Sequence, residues 1–107
     1  MRQILFFDLP TDTPKNRKDY RDFRKFLISE GFLMLQYSVY SKISPNNIQA
    51  ETVRRRIEAN RPGEGCVMLL KVTESQFARM EYILGEQPES KANLDLRVVI
   101  LGDNNEN

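Results

Sequence analysis

Residues 4–7 read Ile-Leu-Phe-Phe, an apolar run that stops at Asp8 and is followed closely by Pro10. A run this short, rich in aromatics and bounded by proline, predicts a strand over residues 2–9. Successive apolar residues point to opposite faces of a sheet, so the strand is expected to be a central one. The rest of the chain must then supply partners for both of its edges. The run also poses a chemical question, because a buried strand ends in a carboxylate.

Thr13-Pro14 predicts a helix start: Thr caps free backbone N–H groups, and Pro is tolerated at the first helical position. This helix should run to about Glu30, with Gly31 as its stop. Tyr20, Phe23, Phe26, Leu27 and, at the edge, Ile28 recur at helical spacing and form its apolar side. Arg17, Lys18, Arg21, Arg24 and Lys25 lie beside them. At about 100° per residue these five fall within about a third of the circumference, with Asp19 and Asp22 expected to point elsewhere.

Residues 32–42 are a second extended region, long for one strand, and Gln36 and Ser38 predict a bulge or a break into two. Ser44-Pro45 or Asn46-Asn47 should open a second helix. It carries Ile48, Val53 and Ile57 inward and Arg54, Arg55 and Arg56 largely outward, and it stops before Arg61-Pro62-Gly63. Residues 65–72 predict another strand, apolar on both faces. Thr73-Glu74-Ser75-Gln76 has the spacing of a capping box, opening a short helical turn. Met80–Leu84 reads as a further strand, residues 86–95 as a loop, and 97–101 as a last short strand before a flexible tail at 102–107.

Two helices and a mostly antiparallel sheet predict an α+β sandwich with both helices on one face. The ferredoxin-like βαββαβ arrangement fits best. It makes residues 1–101 one domain and leaves the strand at 97–101 in need of a partner. A second copy of the chain would supply one, since two-fold dimers are the commonest oligomers.

Composition narrows the chemistry. The 107 residues contain no histidine and one cysteine. No internal disulfide is possible, and Cys66, within Cys-Val-Met-Leu-Leu, is expected to be buried and inert. His-based triads, His-based ribonuclease chemistry and His-containing zinc sites are excluded. Any catalysis would rest on carboxylates, hydroxyls, Lys or Arg, with a hard metal ion as the natural helper. No apolar stretch approaches the ~20 residues of a membrane span, and the N-terminus lacks a signal-peptide layout, so a cytoplasmic location is expected. Residues 1–61 hold twelve Lys/Arg against seven Asp/Glu, whereas residues 62–107 hold four against eight. This asymmetry points to a basic face for an anionic partner, against the alternative of scattered surface charge.

Several stretches taken together carry a resemblance: Ile-Leu-Phe-Phe-Asp-Leu-Pro-Thr-Asp-Thr at the start, Phe-Arg-Lys-Phe-Leu-Ile-Ser-Glu-Gly-Phe on the first helix, and Gln-Tyr-Ser-Val-Tyr-Ser-Lys in the second extended region. Val-Thr-Glu-Ser-Gln-Phe-Ala-Arg-Met and the closing Val-Val-Ile-Leu-Gly-Asp complete it. In order and spacing they resemble the small CRISPR-associated protein two, of the kind found with a single large RNA-guided effector (type II systems). The resemblance implies a ferredoxin-like fold and a symmetric homodimer whose C-terminal strand packs on the partner's sheet. It implies a dimer that bridges two dimers of the CRISPR integrase subunit, protein one, and binds the double-stranded DNA inserted as a new spacer. It also implies a Mg²⁺-dependent endonuclease activity, with Mn²⁺ as a substitute, on RNA or DNA.

Asp8 has two readings. It can end the strand and accept turn N–H bonds. By the resemblance, it is the metal-site and catalytic carboxylate, with a twin across the dimer axis. The resemblance also maps polar and aromatic supporting positions onto Ser38 and Tyr40. Asp12, just before the helix, suits the helix dipole, and Asp103 suits the tail. The Arg17, Lys18, Arg21, Arg24 and Lys25 stripe is either a solvated helix face or a phosphate-backbone contact that reads no sequence. The function expected from the resemblance is an adaptor in spacer acquisition, with nuclease activity centred on Asp8. The alternative is a toxin-like, metal-dependent endoribonuclease of the VapD type.

Overall fold

In a computed structural model of the chain, residues 1–86 are described. β1 (Arg2–Asp8) pairs antiparallel with β3 on one edge and β4 on the other. β3 is Val39–Ile43 and β4 is Cys66–Val72. β2 (Leu33–Gln36) adds outside β3, giving the order β2-β3-β1-β4. The break expected in the second extended region is the Tyr37-Ser38 turn, with a register shift between Met34 and Gln36. With α1 (Pro14–Ser29) and α2 (Asn47–Ala59) placed between strands, the topology is the ferredoxin-like βαββαβ.

The helix ends follow from local chemistry. Thr13 Oγ1 accepts the Asn16 N–H at 3.0 Å, and Pro14 opens α1. At the far end Gly31 takes φ +96°, a left-handed turn that suits glycine. Asn46 caps α2 through Gln49 N–H. The capping box at Thr73 and Gln76 is formed in full and starts α3 (Glu74–Ala78).

The alternation along β1 divides the molecule. Leu5 and Phe7, with Leu9 beyond the strand, join a core with Phe23 and Leu27 of α1, Val53 and Ile57 of α2, and Tyr40. Phe7 lies at the centre of an aromatic cluster. Its ring is 5.5 Å from Phe23 and 5.7 Å from Tyr20, both edge-on, and 5.8 Å from Tyr40 in a stacked arrangement. Such pairs contribute about 0.5–1.5 kcal/mol each beyond the area they bury. The buried Gln3 shares this face and is satisfied: it donates to Ala50 O of α2 and accepts from Ser44 Oγ.

Arg2, Ile4, Phe6 and Asp8 occupy the opposite, open face, together with their register partners. Arg2 is only 7% exposed, and its guanidinium is held twice over. It makes a bidentate pair with Glu74 (3.0 and 2.9 Å) and lies 4.0 Å from the Phe77 ring centroid. This contact clamps α3 to the sheet.

Four expectations are corrected. Ile48 is 79% exposed. Ala50, Val53 and Ile57 form the inward stripe of α2, and Ile48 precedes Ala50 by two residues, about 200° around the helix. Cys66 is exposed. It belongs to the open-face row of β4 with Met68 and Leu70, and all three are exposed among the described residues. Met80–Leu84 is not a strand, and Ile83 and Leu84 lie open to solvent. Asp22 lies beside the basic stripe and takes Lys18 as an ion-pair partner at 2.7 Å. The strand expected at 97–101 and the tail at 102–107 lie outside the described residues.

Two stability predictions follow from these packings. The Arg2 guanidinium holds the Glu74 carboxyl below the ordinary glutamate range. A lowered folded-state value gives a contribution that is complete above the unfolded value and is lost as pH falls through the folded one. Glu74→Gln should therefore lower stability at neutral pH by about 1–2 kcal/mol, a figure moderated by Glu74 being half open to water. The gap should close below about pH 4, as urea midpoints across pH would reveal; a gap constant down to pH 3 would show that the pair's charge is not what stabilises. Gly65 has φ +104°, and a Cβ there would sit 2.6 Å from the Asp8 carbonyl oxygen and 2.8 Å from Leu9. Gly65→Ala should cost at least ~2 kcal/mol in the same assay, because a strained backbone and a backbone clash coincide. An unchanged midpoint would mean that the turn before β4 rearranges freely.

Candidate functional site

Asp8 sits where three constraints end the strand. Leu9 returns to the core, Pro10 cannot donate to a ladder, and opposite Asp8 the β4 strand starts at Cys66 just after the Gly65 turn. The backbone at Asp8 is thus fixed while its side chain is exposed on the open face. Among the described residues its carboxylate has no hydrogen bond or ion pair. The turn bonds that a strand-stopping role would supply are not made. A charge on a rigid frame with its valences open can bind a cation or a polar partner.

Ser38 and Tyr40 both act on the preceding residue, Phe7. Ser38 takes φ +67° in the turn, an uncommon geometry for a residue other than glycine, and its carbonyl accepts the Phe7 N–H at 3.0 Å. Tyr40 is buried on the helix side. Its ring stacks on Phe7, and its hydroxyl accepts from Arg24 Nε at 3.1 Å. They fix the strand that carries Asp8 and do not contact its carboxylate. Asp12 is exposed and without an ion pair among the described residues; Asp103 lies outside them.

The described residues do not build a closed metal cage. Among the described residues no three His, Cys, Asp or Glu side chains cluster. Mg²⁺ does not require such a cage, since it is held by one or two carboxylates and keeps several waters. A single accessible Asp8 fits it as one donor of a site completed from elsewhere.

The basic stripe on α1 divides by occupancy. Arg17 donates to Thr11 O at 3.0 Å. Lys18 is paired with Asp22, and the shared hydrogen bond raises the lysine pKa and lowers that of the aspartate. Arg24 spends its Nε on Tyr40. Arg21 and Lys25 have no side-chain partner among the described residues. They line a cleft of about 350 Å³ with Tyr20, Arg24, Met34, Tyr37 and Tyr40. On α2 the arginines are largely satisfied: Arg54 pairs with Glu51 and Glu58, Arg55 with Glu51, and Arg56 with Glu30. Arg54 in turn holds the Glu51 carboxyl low.

Two features of this region are hard to read in the residues alone. Tyr37 lies in an apolar stretch that reads as core, yet it is 86% exposed at the tip of the β2–β3 turn. The open sheet face carries exposed Leu33, Ile43, Met68 and Leu70 around β1. Its signal was the apolarity of residues 65–72 on both faces, with no third helix of useful length to cover one of them.

Comparison with known proteins agrees with this frame. The family model described as CRISPR associated protein Cas2 matches residues 1–80. A protein of Streptococcus mutans serotype c (strain UA159), named CRISPR-associated endoribonuclease Cas2, is 55% identical over 103 residues, covering 96% of this chain and 94% of that one. A Treponema denticola protein of the same name is 50% identical over 101 residues, 94% of this chain and 100% of its own. Among solved structures, Streptococcus pyogenes Cas2 crystallised at pH 6.5 superposes with a TM-score of 0.61 at 21% identity, over 79% of this chain and 100% of that one. That likeness speaks for the fold. The family match over three quarters of the chain, joined to identities of half or more across nearly its full length, places this protein in the CRISPR-associated Cas2 family.

Proposed function

We propose that the chain works as a symmetric dimer in spacer acquisition. In this reading it binds duplex DNA, bridges dimers of the integrase subunit (protein one), and carries a Mg²⁺-dependent phosphodiesterase centre at Asp8. The observation that carries the reading is one of placement. Asp8, rigidly held and without a partner among the described residues, shares the open sheet face with exposed Leu33, Ile43, Met68 and Leu70. A contiguous apolar face of this kind fits a protein surface better than water, and a second copy of the chain is the simplest occupant. A two-fold copy there would set two Asp8 side chains on facing surfaces, a pair of carboxylate donors where the described strands of one protomer offer Asp8 alone on that face.

Mg²⁺, or Mn²⁺ in its place, would be held by the paired Asp8 carboxylates and would supply phosphate polarisation and water activation when bound. The chain's own part is to keep Asp8 exposed on a fixed stretch of backbone. Leu9, Gly65 and the Phe7–Ser38 bond serve that purpose. The names of the relatives favour RNA as a substrate, and the basic α1 surface suits duplex DNA equally, because phosphate contacts read no sequence. Bridging and DNA capture are the main role, with hydrolysis attached to the same dimer. The VapD-type toxin reading has no observation in its favour.

Asp8→Asn should abolish Mg²⁺-dependent cleavage of single-stranded RNA and of duplex DNA while light scattering still reports a dimer. Cleavage by the purified variant at the wild-type rate would remove Asp8 from catalysis. A monomeric variant would instead assign Asp8 to assembly. On α1, replacing both Arg21 and Lys25 with Gln should reduce the slope of log K against log salt for blunt duplex DNA by about 2, near one unit per lost phosphate contact. An unchanged slope would take this face of α1 off the DNA surface.

A further inference from the structure

The cleft between α1 and the β2–β3 turn has a lining that a phosphate-backbone contact does not call for. Arg21, Arg24 and Lys25 supply three cations, and no carboxylate lines it. The other contributors are three tyrosines and Met34. Arg21 and Lys25 stand four residues apart on one helix face, where like charges repel. Asp22 is hydrogen-bonded to Lys18 and makes no ion pair with Arg21 or Lys25, although both cations help to hold its carboxyl low. Arg24 is pinned through its Nε to the Tyr40 hydroxyl, which leaves its terminal nitrogens without a partner among the described residues.

Tyr37 is the element that a duplex does not explain. Its ring is 86% exposed at the turn tip. The turn beneath it is held by the Phe7 N–H to Ser38 carbonyl bond and by the left-handed backbone of Ser38. A large aromatic surface kept in water on a fixed turn, beside cations in a cleft that no carboxylate lines, is the pairing used to hold unpaired nucleotides. The base stacks on the ring and the phosphate meets the cations. Bases inside a duplex already stack on one another and offer no open face. A base at a strand end or in an overhang does.

The geometry points to this cleft as a site for one unpaired nucleotide at the end of a nucleic acid strand, with Tyr37 as the stacking platform and Arg21 and Lys25 as the phosphate contacts. The volume of about 350 Å³ lies at the small end of ligand sites, as suits a single nucleotide. Charge complementarity selects this occupant, since a neutral or basic peptide would leave the cations unmatched. The inference rests on the proposed binding of nucleic acid by α1 and adds what that surface distinguishes: frayed or overhanging ends from blunt ones.

Fluorescence anisotropy on the full chain tests it with two DNA probes of the same duplex length, one blunt and one with a short unpaired overhang on each strand, at one salt concentration. The wild-type protein should bind the overhanging probe about 10-fold more tightly, within the range seen for one base–aromatic stack. Tyr37→Ala should erase that advantage and leave blunt-duplex affinity unchanged. Tyr37→Phe should keep it, because the ring does the stacking. The exposed position makes all of these variants compatible with folding. Equal affinity of wild type for the two probes would overturn the inference and leave the cleft to a protein partner. So would a Tyr37→Ala variant that keeps the overhang advantage. Failure to bind even the blunt duplex would instead sink the proposed nucleic-acid surface on which the inference stands.

Discussion

β1 is paired on both edges, and a one-residue slip of its register would exchange its two faces. A shift of one residue would turn Leu5, Phe7 and Leu9 toward the open face and carry Asp8 into the aromatic cluster. A carboxylate packed among Phe23, Tyr20 and Tyr40 would be costly, since it would give up its water to aromatic rings. Hydrophobic burial and carboxylate hydration therefore select the same register. The helices, the hairpin and α3 then attach to a strand whose two faces are already distinguished.

That distinction organises the functional surfaces. On one side of the sheet, α1 presents its cations and, with the β2–β3 turn, its cleft. On the other side lie Asp8 and the exposed apolar residues of β2, β3 and β4. Phe7 connects the two: its ring packs under Tyr20 and Tyr40 of the cleft, its N–H is bound by Ser38, and its neighbour is Asp8. Tyr40 thus reaches Asp8 only through Phe7 and the backbone.

Much of this was legible in the residues. Ile4–Phe7 named the central strand, Thr13-Pro14 and Gly31 bounded α1, and Gln36 with Ser38 marked the break between β2 and β3. These signals are local, and local physics decides them. Ile48, Cys66 and Met80–Leu84 were misread for a common reason. Each is apolar, and apolarity predicts burial only when something is available to cover it. Residues 65–72 looked like a strand buried on both sides, yet among the described residues α1 and α2 occupy one face and α3 reaches only the Arg2 end of the other. The partition of the basic stripe was equally hidden. Which of five cations keeps an open charge depends on Asp22, Thr11 and Tyr40, and those contacts exist only once the chain is folded. Asp8 was identified in the sequence; its lack of a partner was not.

The ion pairs on α2 have a consequence for how the molecule meets a polyanion. Arg54, Arg55 and Arg56 are answered by Glu51, Glu58 and Glu30 within a few ångströms, so beyond the ~8 Å screening length of physiological salt they contribute little potential. Arg21 and Lys25 on α1 make no such ion pair among the described residues, although Asp22 feels both. Of the two helices, α1 is therefore the one that keeps an outward positive field, even though the net charge of the chain is only +1. An approaching nucleic acid would experience a torque as well as an attraction, turning the protein to lead with α1 before contact. For the proposed nucleic-acid partner, neutralising one helix internally would act as an aiming device. It would raise the share of encounters that arrive with α1 leading, without adding any positive charge.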